Sequence, residues 1–367
     1  STVVASGWGY NEDYHDWTFG VLRDAQKNYY IATASDYAQK GRAKNAQGLR
    51  GHFLKVAPDG SLETLARGLR YPTGLAMNRH GAMFFTDNQG VQNTFNEINH
   101  LVPGSRYGVP ALDDPPADKD PWPDREPAIK IPHPWTRSVN GICFLESGGK
   151  WGPFEGHGIG CEYDTRGLIR FSLQKIGDTY QGACYPFTLP EDQVPQDQRL
   201  LGPICCAVSP SGDLYVGGLR DRGGGGGNNV GELVRIKPSE QVPLGIREVR
   251  ASHEGFVIDF TGLIDAAAAA DAANYTISSY RRIWKGTYAT PDSDRRTERI
   301  RSIAISQDRR TAVITLHEMR PGFVYEFAVR PVGPNHQALW PAEAFYTLNQ
   351  VPEIDTEELQ NENADNR

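Results

Sequence analysis

Along the first 240 residues, short apolar strands recur with Gly-bearing turns between them. Gly74-Leu75-Ala76-Met77 runs through His80-Gly81 into Met83-Phe84-Phe85-Thr86, and Cys206-Ala207-Val208 runs through Ser211-Gly212 into Leu214-Tyr215-Val216. Both read as hairpins, because apolar runs rich in aromatic and β-branched residues flank a glycine turn. A third unit pairs Phe19-Gly20-Val21-Leu22 with Tyr29-Tyr30-Ile31-Ala32-Thr33 and is completed by His52-Phe53-Leu54-Lys55-Val56. A fourth starts at Gly141-Ile142-Cys143-Phe144 and continues through Gly167-Leu168-Ile169-Arg170-Phe171. Units of about 40 to 60 residues, each too small to bury its own apolar face, predict propeller blades around a central channel. No stretch before Pro238 carries a helical stripe. The expectation is all-β: at least four blades of an expected six, the earlier ones preceding Ser1.

The pattern changes after Pro238. Ile246–Val249 and Phe256–Phe260 flank Glu254-Gly255 as a hairpin, and strands recur at Arg301–Ile305, Thr311–Leu316 and Val324–Val329, the spacing of a β-sandwich. Met319 to Phe327 resembles the tyrosine corner of fibronectin type III-like domains, which gives Tyr325 a structural role. Ala266–Ala273 is the one helix-prone run. The predicted division is therefore propeller blades over 1–240, an immunoglobulin or fibronectin III-like sandwich over 241–350, and a disordered acidic tail or linker over 351–367. The Pro- and Asp-dense stretch 113–127 reads as a solvated surface loop, lacking the alternating ligands of an EF-hand.

Composition narrows the function classes. The formal net charge is -7 and the 38 Lys and Arg residues form no basic stripe, which argues against nucleic-acid binding. No apolar run is long enough to span a bilayer. Five cysteines show neither zinc spacing nor a haem-attachment motif; buried hydrophobes are the main reading, with one disulfide, such as Cys161 with Cys184, left open.

The stretch Asn96-Glu97-Ile98-Asn99 through Gly104-Ser105-Arg106-Tyr107-Gly108-Val109-Pro110 resembles the signature of soluble quinoprotein glucose dehydrogenases and sorbosone dehydrogenase-like propellers. Gly68-Leu69-Arg70-Tyr71-Pro72-Thr73-Gly74-Leu75 resembles a second motif of that family. Thr86 to Gly90, Tyr180 to Cys184 and Tyr215 to Gly218 are similar to dehydrogenase-like propellers of planctomycete-type bacteria, which often carry a cytochrome c domain. The resemblance implies oxidation of a sugar or related alcohol, calcium, pyrroloquinoline quinone, a cytochrome c acceptor, and a periplasmic or extracellular setting. It makes His15 the base, Arg70 and Gln89 cofactor ligands, and Gly90 and Val91 carbonyl donors to calcium. The chain departs from the pattern where the family's cofactor-binding Lys falls on Thr165 and its Arg pair on Pro203 and Cys205. Arg166 and Arg220 are the candidate substitutes.

The residues also support readings of their own. An imidazole at His15 suits removal of a hydroxyl proton, though it equally suits packing at a blade edge. Asp87, grouped with the catalytic and metal candidates, and Asn88 suit a cation or sugar hydroxyls, or else cap a turn. His133-Pro134-Trp135 offers an imidazole and a ring for stacking a sugar. Glu162 and Asp164, two apart, would share one strand face. Arg222 to Asn229 lacks the Lys-Ser/Thr of a phosphate loop and reads as a hairpin loop. The competing functions are a non-catalytic carbohydrate-binding or scaffold propeller, and a cation-dependent sugar lyase or epimerase.

Overall fold

Alternation with turn glycines folds as the pattern predicts, into antiparallel hairpins stacked as sheets. The computed structural model describes residues 2–9, 17–35, 48–90, 93–109, 115, 118–133, 135–189, 191–220, 230–286 and 290–353. The first sheet holds β1 (Thr18–Arg23), β2 (Tyr29–Thr33), β3 (His52–Val56) and β4 (Leu62–Arg67). The second begins with β5 (Leu75–Met77), β6 (Met83–Asp87) and β7 (Asn96–His100). The chain then returns to the first sheet as β8 (Ser105–Arg106), parallel to β4, before β9 (Ile129–Ile131) completes the second. The third sheet contains β10 (Val139–Phe144), β11 (Gly158–Glu162), β12 (Gly167–Ile176) and β13 (Thr179–Pro186), and the fourth β14 (Pro203–Val208), β15 (Leu214–Arg220) and β16 (Val230–Ile236).

The innermost strands β1, β5, β10 and β14 lie side by side in chain order, the arrangement of successive propeller blades. Among the described residues no comparable contact joins β14 back to β1, so the four blades form an arc. Neighbouring residues on β6 explain the stacking. Phe84 packs toward the third sheet with Phe144, Phe85 toward the first with Phe53, and both are fully buried. A strand buried on both faces reads as a continuous apolar run, which is what Met83-Phe84-Phe85 is. Glycine sets the spacing of the inner strands. A side chain on Gly74 would overlap the Asn140 carbonyl, and one on Gly141 would come within 2.7 Å of the Cys205 Cα.

The C-terminal part has β17 (Ile246–Ser252), β18 (Gly255–Phe260), helix α1 (Ala266–Ala270), β19 (Tyr275–Arg281), β20 (Ser293–Thr297), β21 (Ile300–Ile305), β22 (Thr311–Leu316), β23 (Phe323–Val329) and β24 (Glu343–Leu348). Strands β17, β18, β22 and β21 form one sheet, while β24, β23, β19 and β20 form another. The two share a core in which Phe256 meets Tyr325, Phe327 and Tyr346. Tyr325 plays the part expected of it, its hydroxyl accepting the Arg320 amide at 2.6 Å. The helix starts where Asp265 caps the Ala268 amide at 2.8 Å.

Two features were not foreseen from the sequence. First, β24 pairs with β13, so the third blade and the second C-terminal sheet are one eight-stranded sheet running across residue 240. Second, the same blade is fastened to β17 by side chains. Arg170, Ser172 and Gln174 alternate along one face of β12. Arg170 donates to the carbonyls of Ile246 (2.9 Å) and Arg247 (2.6 Å) and to His157 Nδ1 (2.7 Å). The Tyr185 hydroxyl, bonded to Ser172, accepts the Val249 amide at 2.7 Å. Gln174 exchanges two bonds with the backbone of Ala251. Side chains at period two thus meet a strand backbone at period two.

The loop 113–127 is partly outside the described residues, but Asp120 is pinned within it by Arg67 and Arg106, and the Arg67 guanidinium lies 4.4 Å from the Trp122 ring. The tail from residue 354 and the glycine run 223–229 lie outside the described residues. Asp164 sits in a turn after β11, so it does not share a strand face with Glu162.

Candidate functional site at the loop end of the arc

Among the described residues, the loops that enter β5 and β10 and those that follow β2, β6 and β11 meet at one end of the arc, and hydrogen bonds link them blade to blade. The Ser35 amide bonds the Arg70 carbonyl (2.9 Å). Asp87, at the end of β6, accepts the Arg70 amide (2.7 Å) and the Tyr71 amide (2.6 Å), one on each carboxylate oxygen. Glu162, at the end of β11, accepts the amides of Arg137 (2.8 Å) and Ser138 (2.7 Å) and the Thr136 hydroxyl (3.0 Å) on one oxygen; Thr165 occupies the other. The two acids occupy equivalent ends of second strands and do the same work: each clasps the loop feeding its blade's inner strand. Glu162 is thereby a structural anchor.

Asp87 holds Arg70 in place. The Arg70 guanidinium lies over Gly90, where any side chain would overlap it, and its Nη1 is 3.4 Å from the Asn88 carbonyl oxygen. Gly90 is required here for the room it leaves, its amide bonding the Asn93 carbonyl (2.9 Å). Gln89, almost fully buried, donates its amide to Asn96 Oδ1 (3.2 Å) and places its side-chain nitrogen 3.1 Å from His133 Nε2. Asn96 in turn bonds the Thr136 carbonyl at 3.2 Å, tying this loop to the third blade. Arg70, Asp87, Asn88, Gln89, Gly90 and His133 are therefore brought together as the sequence suggested.

Two buried polar atoms here have no protein partner, Arg70 Nε and Asn88 Oδ1. Unpaired buried polar atoms are costly, so these two keep capacity to bind at this end of the arc. Asn99 stands beside Glu97 on one face of β7, and Glu97 is the cross-strand partner of Asp87. Burial pushes the Asp87 carboxyl up to about 6 against the opposing pull of the Arg70 and Tyr71 amides. Burial, with Asp87 beside it, raises Glu97 well above the usual carboxylate range. A buried Asp and Glu facing each other across a strand pair share the cost of ionisation, and the protonated form of Glu97 is favoured.

The other sequence candidates lie elsewhere. Trp135 packs edge-on against Phe345 (4.6 Å) and, with Arg166, lines a separate cavity of about 580 Å³ walled by Leu168, Leu200 and Trp340. Arg220 donates to the Leu201 carbonyl (2.6 Å) and stacks on Tyr163 (4.8 Å). His15, Val91 and Pro134 fall outside the described residues. Sequence reasoning gave no role to Asn93 and Asn96, nor to Glu97 and Asn99. The signal for the last two was present: polar residues two apart on a strand whose neighbours are core.

The described residues do not by themselves supply the cations needed by the tricarboxylate quinone that the family resemblance implies. That ligand needs several cations, and the described cluster offers Arg70 alone, with Arg220 committed to Leu201 and Arg166 lining another cavity. For calcium, both Asp87 oxygens face backbone amides and among the described residues no group of three His, Cys, Asp or Glu side chains is placed to hold a metal, while of the two expected carbonyl donors Val91 lies outside the described residues.

No protein-family model matches the chain. No curated protein matches it either. Solved structures similar to it include an oxidoreductase (glucose dehydrogenase) from Thermus thermophilus, at 19% identity and TM-score 0.42, covering 59% of this chain and 63% of that one. The PQQ-bound aldose sugar dehydrogenase of Streptomyces coelicolor is 18% identical, TM-score 0.43, covering 59% and 60%. The periplasmic gluconolactonase of Pseudomonas aeruginosa is 11% identical, TM-score 0.32, covering 92% and 86%. The chain thus spans less than two thirds of the two dehydrogenases. At such identities and TM-scores the fold rests on the strand pairing itself, and activity is not addressed.

Proposed function

We propose that this chain acts on a carbohydrate or related alcohol at the loop end of the arc, and that oxidation of a hydroxyl is the reaction. The observation that carries the reading is the convergence of Arg70, Asn88, Gln89, Gly90 and His133 on one polar cluster with an unpaired buried donor and an unpaired buried acceptor. Amide and guanidinium groups of this kind bind vicinal hydroxyls and a neighbouring anion. His133, hydrogen-bonded through Nε2 to Gln89, is the described imidazole able to take up the hydroxyl proton. Asp87 contributes by fixing the Arg70 backbone. Since the cluster supplies one guanidinium, no step is assigned to a bound quinone, and the electron acceptor is a carrier outside these residues.

A second reading, carbohydrate binding without redox chemistry, is favoured by that single guanidinium. One experiment separates them. The protein is titrated with a panel of aldoses by calorimetry, and dye reduction is followed with and without added pyrroloquinoline quinone and calcium. Sugar-dependent dye reduction lost in His133→Ala supports oxidation. Sugar binding with no reduction under any condition selects the binding module, and absence of both removes the carbohydrate reading.

A further inference from the structure

The five cysteines are all free thiols, and the structure rearranges the pairing open at the sequence level. Cys184 faces β24, with its Sγ 3.7 Å from the Phe345 carbonyl oxygen, whereas Cys161 belongs to the core between the third and fourth blades. Those two lie in different cores and cannot meet.

Cys206 is the sulfur that reaches Cys161's core from the fourth blade. Strands β10 and β14 lie against each other, and Cys206 Sγ comes within 3.8 Å of the Gly141 carbonyl oxygen and 3.9 Å of that of Ile159. Ile159 is the cross-strand partner of Cys143. The Cys206 sulfur therefore reaches over β10 and β11 into the core that Cys143 also borders. Cys161 lies fully buried in the same core, while Cys143 and Cys206 are residues of intermediate exposure whose thiols turn into it. Cys205, next along β14, points away and is exposed.

We propose that Cys143 and Cys206 form a reversible disulfide that staples the third blade to the fourth when the chain meets a low-molecular-weight disulfide oxidant. One thiolate attacks the oxidant's S–S bond, releasing one small thiolate and leaving a mixed disulfide. The second protein thiolate then attacks the mixed disulfide and expels the other small thiolate. Two protein thiols lose two electrons, the oxidant's S–S bond takes them, and the two thiol protons end on the released small thiols. A disulfide demands a short separation, and the strands that carry the two thiols already lie in contact. The cross-link would tie β14 of the fourth blade to β10 of the third, the inner strand it packs against among the described residues.

Neighbouring thiols and burial push both groups well above the usual thiol range, which makes the reaction slow at neutral pH and faster as pH rises. The test uses the full chain equilibrated at pH 8 with graded ratios of oxidised to reduced glutathione, then alkylated, peptide-mapped by mass spectrometry and assayed for thiols under denaturing conditions. The expected result is a fall from the five cysteines of the chain to three titratable thiols, with a Cys143–Cys206 cross-linked peptide. The melting midpoint should rise by roughly 5 °C, reversed by reductant. Cys143→Ala and Cys206→Ala should each abolish the cross-link, and Cys205→Ala should keep it. Five thiols surviving at every ratio, a Cys161–Cys206 linkage, or a glutathione adduct on Cys205 alone would each overturn the proposal. The wild-type peptide map decides the matter even where a variant fails to fold.

Discussion

The seam between the third blade and β17 and the loop end of the arc are both built from buried polar side chains, yet they are finished differently. At the seam the polar atoms of Arg170, Ser172, Gln174 and Tyr185 are paired, and the Arg170 guanidinium lies between the rings of Phe154 (4.4 Å) and Tyr185 (4.0 Å). At the loop end, Arg70 and Asn88 keep atoms without protein partners. A satisfied network holds two parts in register, whereas an incompletely satisfied one retains capacity for something else to bind. That difference assigns architecture to the first region and the candidate site to the second, although each is organised around an arginine.

Breaking the seam should give the largest effect. Arg170→Met keeps the volume but leaves two carbonyls and the His157 ring nitrogen unpaired in the interior. We expect a loss of about 4 kcal/mol in denaturant unfolding, because removing one partner of a buried charged network strands the others. Arg170→Lys should recover little, since an ammonium cannot reach the same forked set of acceptors. His157 has its own pH signature. Burial and Arg170 hold it well below the ordinary imidazole value, so the unfolded chain binds more protons below about pH 6.5 and stability falls as the solution is acidified through that point.

Asp87→Ala is next, at about 2 kcal/mol, from two backbone amides left unpaired at Arg70 and Tyr71. Its pH dependence runs opposite to that of His157. The native carboxyl titrates at about 6 and the unfolded one near 3.8, so the native state holds more protons between those values. Wild-type stability from this group is greatest below pH 4 and declines as pH rises to 6. The penalty of Asp87→Ala should therefore be larger at pH 4 than at pH 7. An equal penalty at both would mean that Asp87 does not titrate as a buried clasp.

Gly90→Ala should move stability by less than about 1 kcal/mol while displacing the Arg70 side chain that crosses it, because the clash falls on the flexible part of a side chain. Sugar binding should weaken at least about tenfold, or about 1.4 kcal/mol. A variant that binds normally would separate Arg70 from the site and leave Gln89 and His133 to carry it.

The sequence made the blades legible because each strand of β5, β6, β14 and β15 combines an apolar run with a turn glycine, two signals that agree. It also made the Arg70 to Gly90 cluster legible, through motifs whose two halves lie on different loops. What it hid were interactions made at long range by residues of ordinary appearance. Arg170 reads as one charged residue in the strand 167–171, with no local mark that its partners lie at 246 and 247. Glu162 looks like a surface acid until the backbone of 136–138 folds over it. The β13–β24 pairing joins segments that nothing in either strand alone could register.

The smallest expected effect is also the most discriminating. Burial and Asp87 raise Glu97 well above the carboxylate range, which favours the protonated form, close in shape and charge to glutamine. Glu97→Gln should then change stability at pH 7 by less than about 0.5 kcal/mol, where an ionised buried acid would give a far larger change of either sign. Asp87 should keep its raised value in this variant, because burial and not Glu97 is what raises it, so the decline in stability between pH 4 and 6 should persist. A change above about 1 kcal/mol would show that Glu97 carries its charge in the native state. The pair would then be an anionic centre paired with a cation, and the loop end would resemble the seam more than the comparison allows.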